Sequence, residues 1–462
     1  MTMQLKPRDV QTQVKHKILE KYLGAWGGII LSGLSGRARR SSKQYHAHFV
    51  YVDCFSYIGK YSGDIESIWL EGTQNHVLGS PFIGIYTLDQ LVQQSQKYSN
   101  VTITANVILV EERVRRFNWL IENLKSEGLE DRMKVSTDFN MLSPGEIAVV
   151  NTDATKIVKE LLQFTTQRHT YAFYLLDPYG GKGIPYHFVK SVIHQPRHDV
   201  MINFIYSDLE KKAGAAVAGE EVSKKQKMHV EHWTRVFNNK EWISIKREIE
   251  EHRESRDFLL FALGVTQEEA KFDPIFRDMT YQKVLTDTQL TNLTERRLVN
   301  LYHKTLKEMD PDIILKSIKL QFPDKDRPMF YLFLTTHNET GALELNQILH
   351  NAELWEFELR YIRRKVKRQL PPKGQMSLFK PEAPEVPVIE SIRPTVEDCA
   401  EMLMNKFTGQ TLTVRKIYQG MADEEFFHGE IGKALTLLNS EKKATYSGRR
   451  TYHTVVTFNP NY

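Results

Sequence analysis

Cysteine is nearly absent: Cys54 and Cys399 are the only two in 462 residues, far apart in the chain. Two cysteines build neither a disulfide framework nor, on their own, a structural zinc site. Long apolar runs are missing too, and none approaches the roughly 18–20 residues that span a bilayer. Residues Met1 to Lys21 mix Lys, Gln, Asp and Arg with short apolar steps, which predicts no secretory signal and a soluble, cytoplasmic chain. The 25 glycines and 17 prolines are too few for a low-complexity or fibrous protein. Neither Gly-x-Gly-x-x-Gly nor a Walker-type Gly-x-x-x-x-Gly-Lys-Ser/Thr occurs, so dinucleotide and P-loop sites lack their usual signatures. What is left, 41% hydrophobic and 26% charged, is an ordinary globular composition whose length predicts two or three domains.

Apolar and β-branched runs at His48–Asp53, Val101–Val110, Tyr171–Leu176 and Val200–Ile205 predict strands. Helical spacing appears at Lys15–Leu31, Pro81–Gln96, Val114–Glu127 and Lys156–Phe164. Strands alternating with helices predict an α/β fold with a mostly parallel sheet covered on both faces. From about Leu209 to Asp310 the chain reads as helical and charged, and two more strands follow at Ile318–Phe322 and Met329–Thr336. The economical division is one α/β domain, residues 1–368, with a helical insertion at about 209–315. A helix at Leu343–Arg368 closes it, and residues 369–394, with six prolines, form a linker. Residues 395–462 read as a separate unit: helices at Val396–Phe407, Thr413–Gln419 and within Glu425–Glu441, then a hairpin of Lys443–Tyr446 and Tyr452–Phe458 around Ser447-Gly-Arg-Arg450. That layout predicts a winged helix-turn-helix.

Four acids stand near the ends of the candidate strands. Asp53 opens Asp53-Cys-Phe-Ser-Tyr-Ile-Gly59, a tight loop at the place where α/β sheets bind cofactors. Gly59 allows a close approach to the backbone there; Ser56 and Tyr57 do so less freely. Glu111 follows the second strand, and its two coplanar oxygens suit the hydroxyl pair of a ribose. Asp153, in Asn151-Thr-Asp-Ala154, suits an adenine amino group. Asp177 lies in Leu176-Asp-Pro-Tyr-Gly180, where Pro178 keeps it extended and Tyr179 can stack on a flat substrate. Any one of these acids alone reads as a cap or surface residue; four in order point to one site. The histidines, among them His46, His48, His337 and His428, show no metal-ligand spacing, and no metal is expected.

Net charge is +5, but the cations cluster. Residues 360–368 hold Arg360, Arg363, Arg364, Lys365, Lys367 and Arg368 without an acid, and Arg37, Arg39, Arg40 and Lys43 sit in a Gly/Ser-rich stretch. Such excess suits phosphates, or is a solvated helix face and a mobile loop. Lys433, Arg449 and Arg450 are the cations expected to meet nucleic acid in the last unit. In the linker, Gln375-Met-Ser-Leu378-Phe379 resembles the Gln-x-Ser/Asp-Leu-Phe peptides that dock on bacterial sliding clamps; it suits pocket recognition or packing on the protein's own body.

Taken together, these motifs resemble the three-Cys-motif partner protein (TcmP) family, over most of the chain. The residues that carry the resemblance are Lys15-His-Lys-Ile-Leu19 with Tyr22, Leu23 and Trp26, then Gly79-Ser-Pro81, Leu176-Asp-Pro-Tyr-Gly180, and Phe333 to His337. The loop 53–59 lies where the family has Asp-x-Phe-Ala-Gly-x-Gly, and this chain departs from it at Ser56 and Tyr57. The resemblance implies a class I methyltransferase-like fold of Rossmann type, S-adenosylmethionine (SAM) held by Asp53, Phe55, Ser56, Gly59, Glu111 and Asp153, and a neighbouring radical SAM-type three-Cys-motif protein. The expected function is methyl transfer to nucleic acid, DNA in the first instance, with Asp177 bonding a base amine and Tyr179 stacking on a flipped base. The usual base-methylating motif has a second proline after Asp-Pro, which is missing here. The alternative is a non-catalytic nucleic-acid-binding or adaptor protein on a degenerate methyltransferase fold. A metal-dependent nuclease lacks its compact carboxylate–lysine cluster.

Overall fold

The computed structural model describes residues 5–41, 43–71, 76–178, 183–217, 224–266, 269–273, 276, 286–370, 381–388 and 393–460. Helix α1 (Val10–Ser41) leads into strand β1 (Tyr45–Asp53), followed by β2 (Lys60–Tyr61), α2 (Ile65–Glu71), β3 (Val77–Leu78), α3 (Ser80–Ser95), β4 (Val101–Val110) and α4 (Val114–Ser126). Then come β5 (Met133–Lys134), β6 (Ile147–Val150), α5 (Val158–Thr165), β7 (Thr170–Leu176), α6 (Tyr186–Ile193) and β8 (His198–Phe204). Eight of these and later strands form one sheet in the order β5-β6-β4-β1-β7-β8-β10-β9. Strands β1 and β4 to β8 run parallel, while β10 (Pro328–Thr336) is antiparallel to both β8 and β9 (Ile314–Gln321). The chain is a mixed α/β fold around a large, mostly parallel sheet, compatible with a Rossmann-like architecture.

Strand periodicity explains the two covered faces. Along β1, Val50 and Val52 point into one apolar cluster, and Phe49 and Tyr51 into the other. On β7, Ala172, Tyr174 and Leu176 alternate in the same way with Phe173 and Leu175. Helices α1, α3 and α4 cover the second face, together with α13 (Glu339–Gln369), the thirteenth described helix. The approach of α3 is close: a Cβ at Gly84 would come within 2.2 Å of the Tyr51 ring. The first face is covered by α5, α6 and the expected insertion: α7 (Tyr206–Val217), α8 (Lys224–Phe237), α9 (Glu241–Glu251), α10 (Arg256–Leu263), α11 (Glu269–Phe272) and α12 (Asp287–Met309). Trp233, Trp242 and Phe237 are fully buried there, so the insertion extends the main core.

The sequence reading is corrected at α1. The Arg37, Arg39 and Arg40 stretch is not a loop; it continues the helix to Ser41, because Leu31, Leu34 and Ala38 bury one face. The helix's final turn carries Arg39 and Arg40, where cations complement the carbonyl end of the dipole.

The last unit contains α14 (Val396–Phe407), β11 (Thr411–Thr413), α15 (Val414–Met421), α16 (His428–Ser440), β12 (Ala444–Thr445) and β13 (Val455–Phe458), the strands forming a small antiparallel sheet in the order β11-β13-β12. It has its own apolar cluster, which also takes in Leu343 from α13. Asn346 of α13 donates to the carbonyls of Glu424 and Phe426 at 2.7 and 2.8 Å, and Lys316 of β9 donates to Glu424 as well, at 2.9 Å. No described helix is long and apolar enough to cross a membrane.

Candidate active site

Sheet order reverses at β1: the chain proceeds to β4 and β6 on one side and to β7 and β8 on the other. Ligands of such sheets bind outside the carboxyl ends of the strands at this point. Asp53 is the last residue of β1, in register with Leu109 of β4 and Leu175 of β7. Val110 of β4 pairs with Val150 of β6. Asp177, Asp53, Glu111 and Asp153 therefore leave four adjacent strands, a row roughly 14 Å across at the usual strand spacing.

The loop after β1 is tied to the strands on both sides. Cys54 N–H donates to Leu175 O at 3.1 Å and Ser56 N–H to Val110 O at 2.9 Å. Ser56 turns its hydroxyl inward to Asp53 O at 3.0 Å, and Asn123 donates to Ile58 O at 2.6 Å. Phe55, half-buried, packs on the first-face core rather than toward the loop's open side. Tyr57 has φ +54° and Gly59 φ +75°. A left-handed backbone is costly for a tyrosine, by about 1–2 kcal/mol, and persists where its surroundings enforce it. Here the Arg116 guanidinium lies 4.7 Å from the Tyr57 ring. Tyr57 thus takes the conformation a glycine would take at that place in the loop.

Asp53 is fully buried and accepts the Phe55 N–H at 3.1 Å. Burial pushes its carboxyl up to about 7; Asp177 nearby adds to this, while Ser80, the Phe55 N–H and Lys15 oppose it. Glu111 is 6% exposed and accepts the Arg113 N–H at 2.9 Å. Burial raises its carboxyl too, against the pull of the Arg113 and Tyr57 N–H groups and of Arg116. Asp153 caps the short turn after β6, its Oδ1 accepting from Thr155 N at 2.9 Å and Thr155 Oγ1 at 2.8 Å. Asp177 is held from two sides: the Lys15 ammonium of α1 pairs with Oδ2, and Asn203 Nδ2 of β8 donates to Oδ1 at 2.6 Å. Pro178 beside it is buried. Tyr179 lies outside the described residues, as do Gln375, Leu378 and Phe379 of the linker peptide.

Sequence reasoning missed Lys15 and Asn203 as members of this cluster. Asn203 carried a signal, being the polar residue within the apolar run Val200–Ile205. Lys15 carried none, because its partner lies 162 residues away. A cavity of about 590 Å³ between α1, α3 and α13 is lined by Arg8, His16, Lys17, Tyr86 and Trp355 among others, and by none of the four acids. Among the described residues no cluster of three metal-ligating side chains occurs.

The cations chosen for nucleic acid lie elsewhere, and most are corrected. Arg363 pairs with Glu66 at 3.3 Å and lies 4.8 Å from the Trp69 ring, with its side chain 13% exposed. Arg364 bonds Pro323 O at 3.0 Å and Asp326 at 2.8 Å, and Lys367 pairs with Asp324 at 2.7 Å. Arg360 is buried, bonded to Phe322 O at 3.1 Å and Asp326 at 2.7 Å. Four cations of the basic run are held by acids from the β9–β10 turn and α2, so Arg363 and Arg364 are not a phosphate-facing pair, while Lys365 and Arg368 are exposed. Arg450 folds back onto α16, donating to Gly432 O and, at 3.1 Å, to Thr436 Oγ1. Arg449 and Lys433 are exposed. The amino end of α16 faces α13, with Phe427 5.8 Å from the His350 ring and the Arg393 guanidinium 3.6 Å from the Phe427 ring.

No family model matches the chain, and no curated protein matches it either. Among solved structures it is similar to the crystal structure of protein LPL1258 from Legionella pneumophila str. Philadelphia 1, of the family model DUF519, with 10% sequence identity, a TM-score of 0.31, and 74% of this chain and 92% of that chain covered.

Proposed function

We propose that this protein is a SAM-dependent methyltransferase of class I type whose target is nucleic acid. The observation that carries the reading is the row Asp177–Asp53–Glu111–Asp153 on four adjacent strand ends at the switch point, beside a loop that keeps left-handed geometry at Tyr57 and Gly59. A row of that length matches an extended nucleoside with an amino-acid tail. In this reading Asp153 meets the adenine amine, Glu111 the ribose hydroxyls, and the loop at Asp53 the amino-acid end. SAM would supply an electrophilic methyl group on sulfur. Asp177 and Pro178 would orient a target amine so that its lone pair faces that methyl, which is mainly a matter of positioning. The antiparallel β9–β10 pair at the edge of a parallel sheet agrees with the class I type. A three-Cys-motif radical SAM-type partner and a sliding-clamp contact through Gln375, Leu378 and Phe379 belong to the same reading and rest on sequence resemblance, and a cytoplasmic location goes with it on the composition of the chain.

Calorimetric titration tests it: micromolar binding of SAM and S-adenosylhomocysteine, with no heat from NAD, is expected. No binding of either adenosyl ligand overturns it.

One observation favours a second reading, a non-catalytic adaptor. The three helices and small sheet of the last unit are in keeping with a winged helix, yet the amino end of α16, which would enter a major groove, is turned toward α13. Contact with DNA would then fall to Arg449 and Lys433. The same titration, with no adenosyl ligand bound but a stable protein partner retained, supports the adaptor.

A further inference from the structure

At the switch point the charges are asymmetric. Two carboxyls, Asp53 and Asp177, share one ammonium, that of Lys15, whose side chain is only 10% exposed. Lys15 pairs directly with Asp177 and is close enough to Asp53 to favour its ionised form. Its ammonium also lies 5.7 Å from the Phe330 ring, so β10 walls it on one side. An ammonium has three N–H donors, and Asp177 Oδ2 uses one of them. The neighbouring Asn203 spends its amide N–H on Asp177, and its own Oδ1 is buried with no hydrogen-bond partner. A buried acceptor left unpaired costs about 1–3 kcal/mol, and a ligand that brings a donor recovers it. Asp53 is short of charge rather than of donors: it accepts the Phe55 N–H at 3.1 Å, yet it is buried with no ion pair among the described residues.

The cluster therefore offers one cation with spare donors, one amide oxygen that lacks a donor, and one buried carboxyl that lacks an ion pair. That is the complement of a zwitterion. We infer that Lys15 is the specificity-determining residue for the amino-acid end of the ligand: its ammonium holds the α-carboxylate, while Asp53 and Asn203 Oδ1 take the α-ammonium. The inference rests on the cofactor reading above and deepens it. It makes α1, outside the strand-end loops, part of the binding site, and Asp177 the residue that aims Lys15. The site then selects nucleosides that carry an amino acid over nucleosides that do not.

The test compares three adenosyl ligands by calorimetry on the full chain. S-adenosylhomocysteine carries both charges, its decarboxylated analogue keeps only the ammonium, and 5′-methylthioadenosine has neither. On the wild-type protein, loss of the carboxylate should weaken binding by about tenfold, the worth of one charge-assisted contact. Lys15→Met should weaken S-adenosylhomocysteine by a similar factor, leave 5′-methylthioadenosine unchanged, and remove the preference for the carboxylate; Lys15→Arg should restore most of it. Equal wild-type affinity for the first two ligands overturns the inference without any variant. So does tighter binding to Lys15→Met, which would make Lys15 a plug that the ligand ammonium displaces. Binding of none of the three ligands to the wild-type protein overturns the cofactor reading itself, and is distinct from both of those results.

Discussion

Two charged regions of this protein exchange roles between sequence and fold. The six cations of residues 360–368 stand together in the sequence, without an acid among them. In space Arg360, Arg363, Arg364 and Lys367 are each paired, to Asp324, Asp326, Glu66 and backbone carbonyls. The four acids Asp53, Glu111, Asp153 and Asp177 are spread over more than a hundred residues, yet leave neighbouring strands at one end of the sheet. There Asp53 and Glu111 are buried with no ion pair among the described residues, and burial shifts their carboxyls upward. Charge density along a chain thus says little about charge available to a ligand. Parallel topology gathers the distant acids, and one turn between antiparallel strands, with Glu66 of α2, pairs four of the six adjacent cations.

Perturbing the acids should have the larger effect. Asp53 has a folded value of about 7 against 3.8 unfolded, so the folded chain binds the extra proton between those pH values. Stability from this group is full below about pH 4 and is lost as pH rises through 7. Asp53→Asn should match the wild type at pH 4 in urea unfolding, and exceed it increasingly toward pH 8, by up to about 4 kcal/mol. A constant difference across that range would break the contrast. Arg360→Ala removes bonds to Phe322 O, Lys325 O and Asp326. Urea midpoints should show a loss of about 3 kcal/mol, with nucleic-acid affinity unchanged. Glu111→Ala should cost about 2 kcal/mol of SAM affinity by calorimetry, with little change in melting temperature. The smallest effect sharpens the comparison from the cation side. Arg363→Gln with Arg364→Gln should leave the salt slope of DNA binding unchanged, whereas Arg449→Ala should lower it by roughly 0.9.

The legible parts of the fold were those with a strong local period. Strand β4 runs over Val101–Val110 and α14 over Val396–Phe407, the spans their patterns indicate. Strand β6, only four residues long, gave no period to read, and α1 runs past Gly33 and Gly36 because its buried face outweighs their low helix propensity. Asp53, Glu111 and Asp177 were legible because each closes or follows an apolar strand, and Asp153 through its setting in Asn151-Thr-Asp-Ala154. The state of those acids was not: the Lys15–Asp177 pair and the burial of Asp53 depend on contacts between distant elements. Tyr57 read as an obstacle, since sequence shows a side chain and not a backbone angle.

Leu343 has a consequence for how this chain can be divided. The proline-rich stretch invites a cut somewhere in residues 369–394, yet this leucine, upstream of any such cut, is buried in the apolar cluster of the downstream unit. A fragment beginning after the cut would carry a socket without its plug, and the remainder would keep a plug without its socket. Covalent seam and packing seam lie on opposite ends of α13. Exchange of the last unit between related chains would therefore succeed only when the first turns of that helix travel with it.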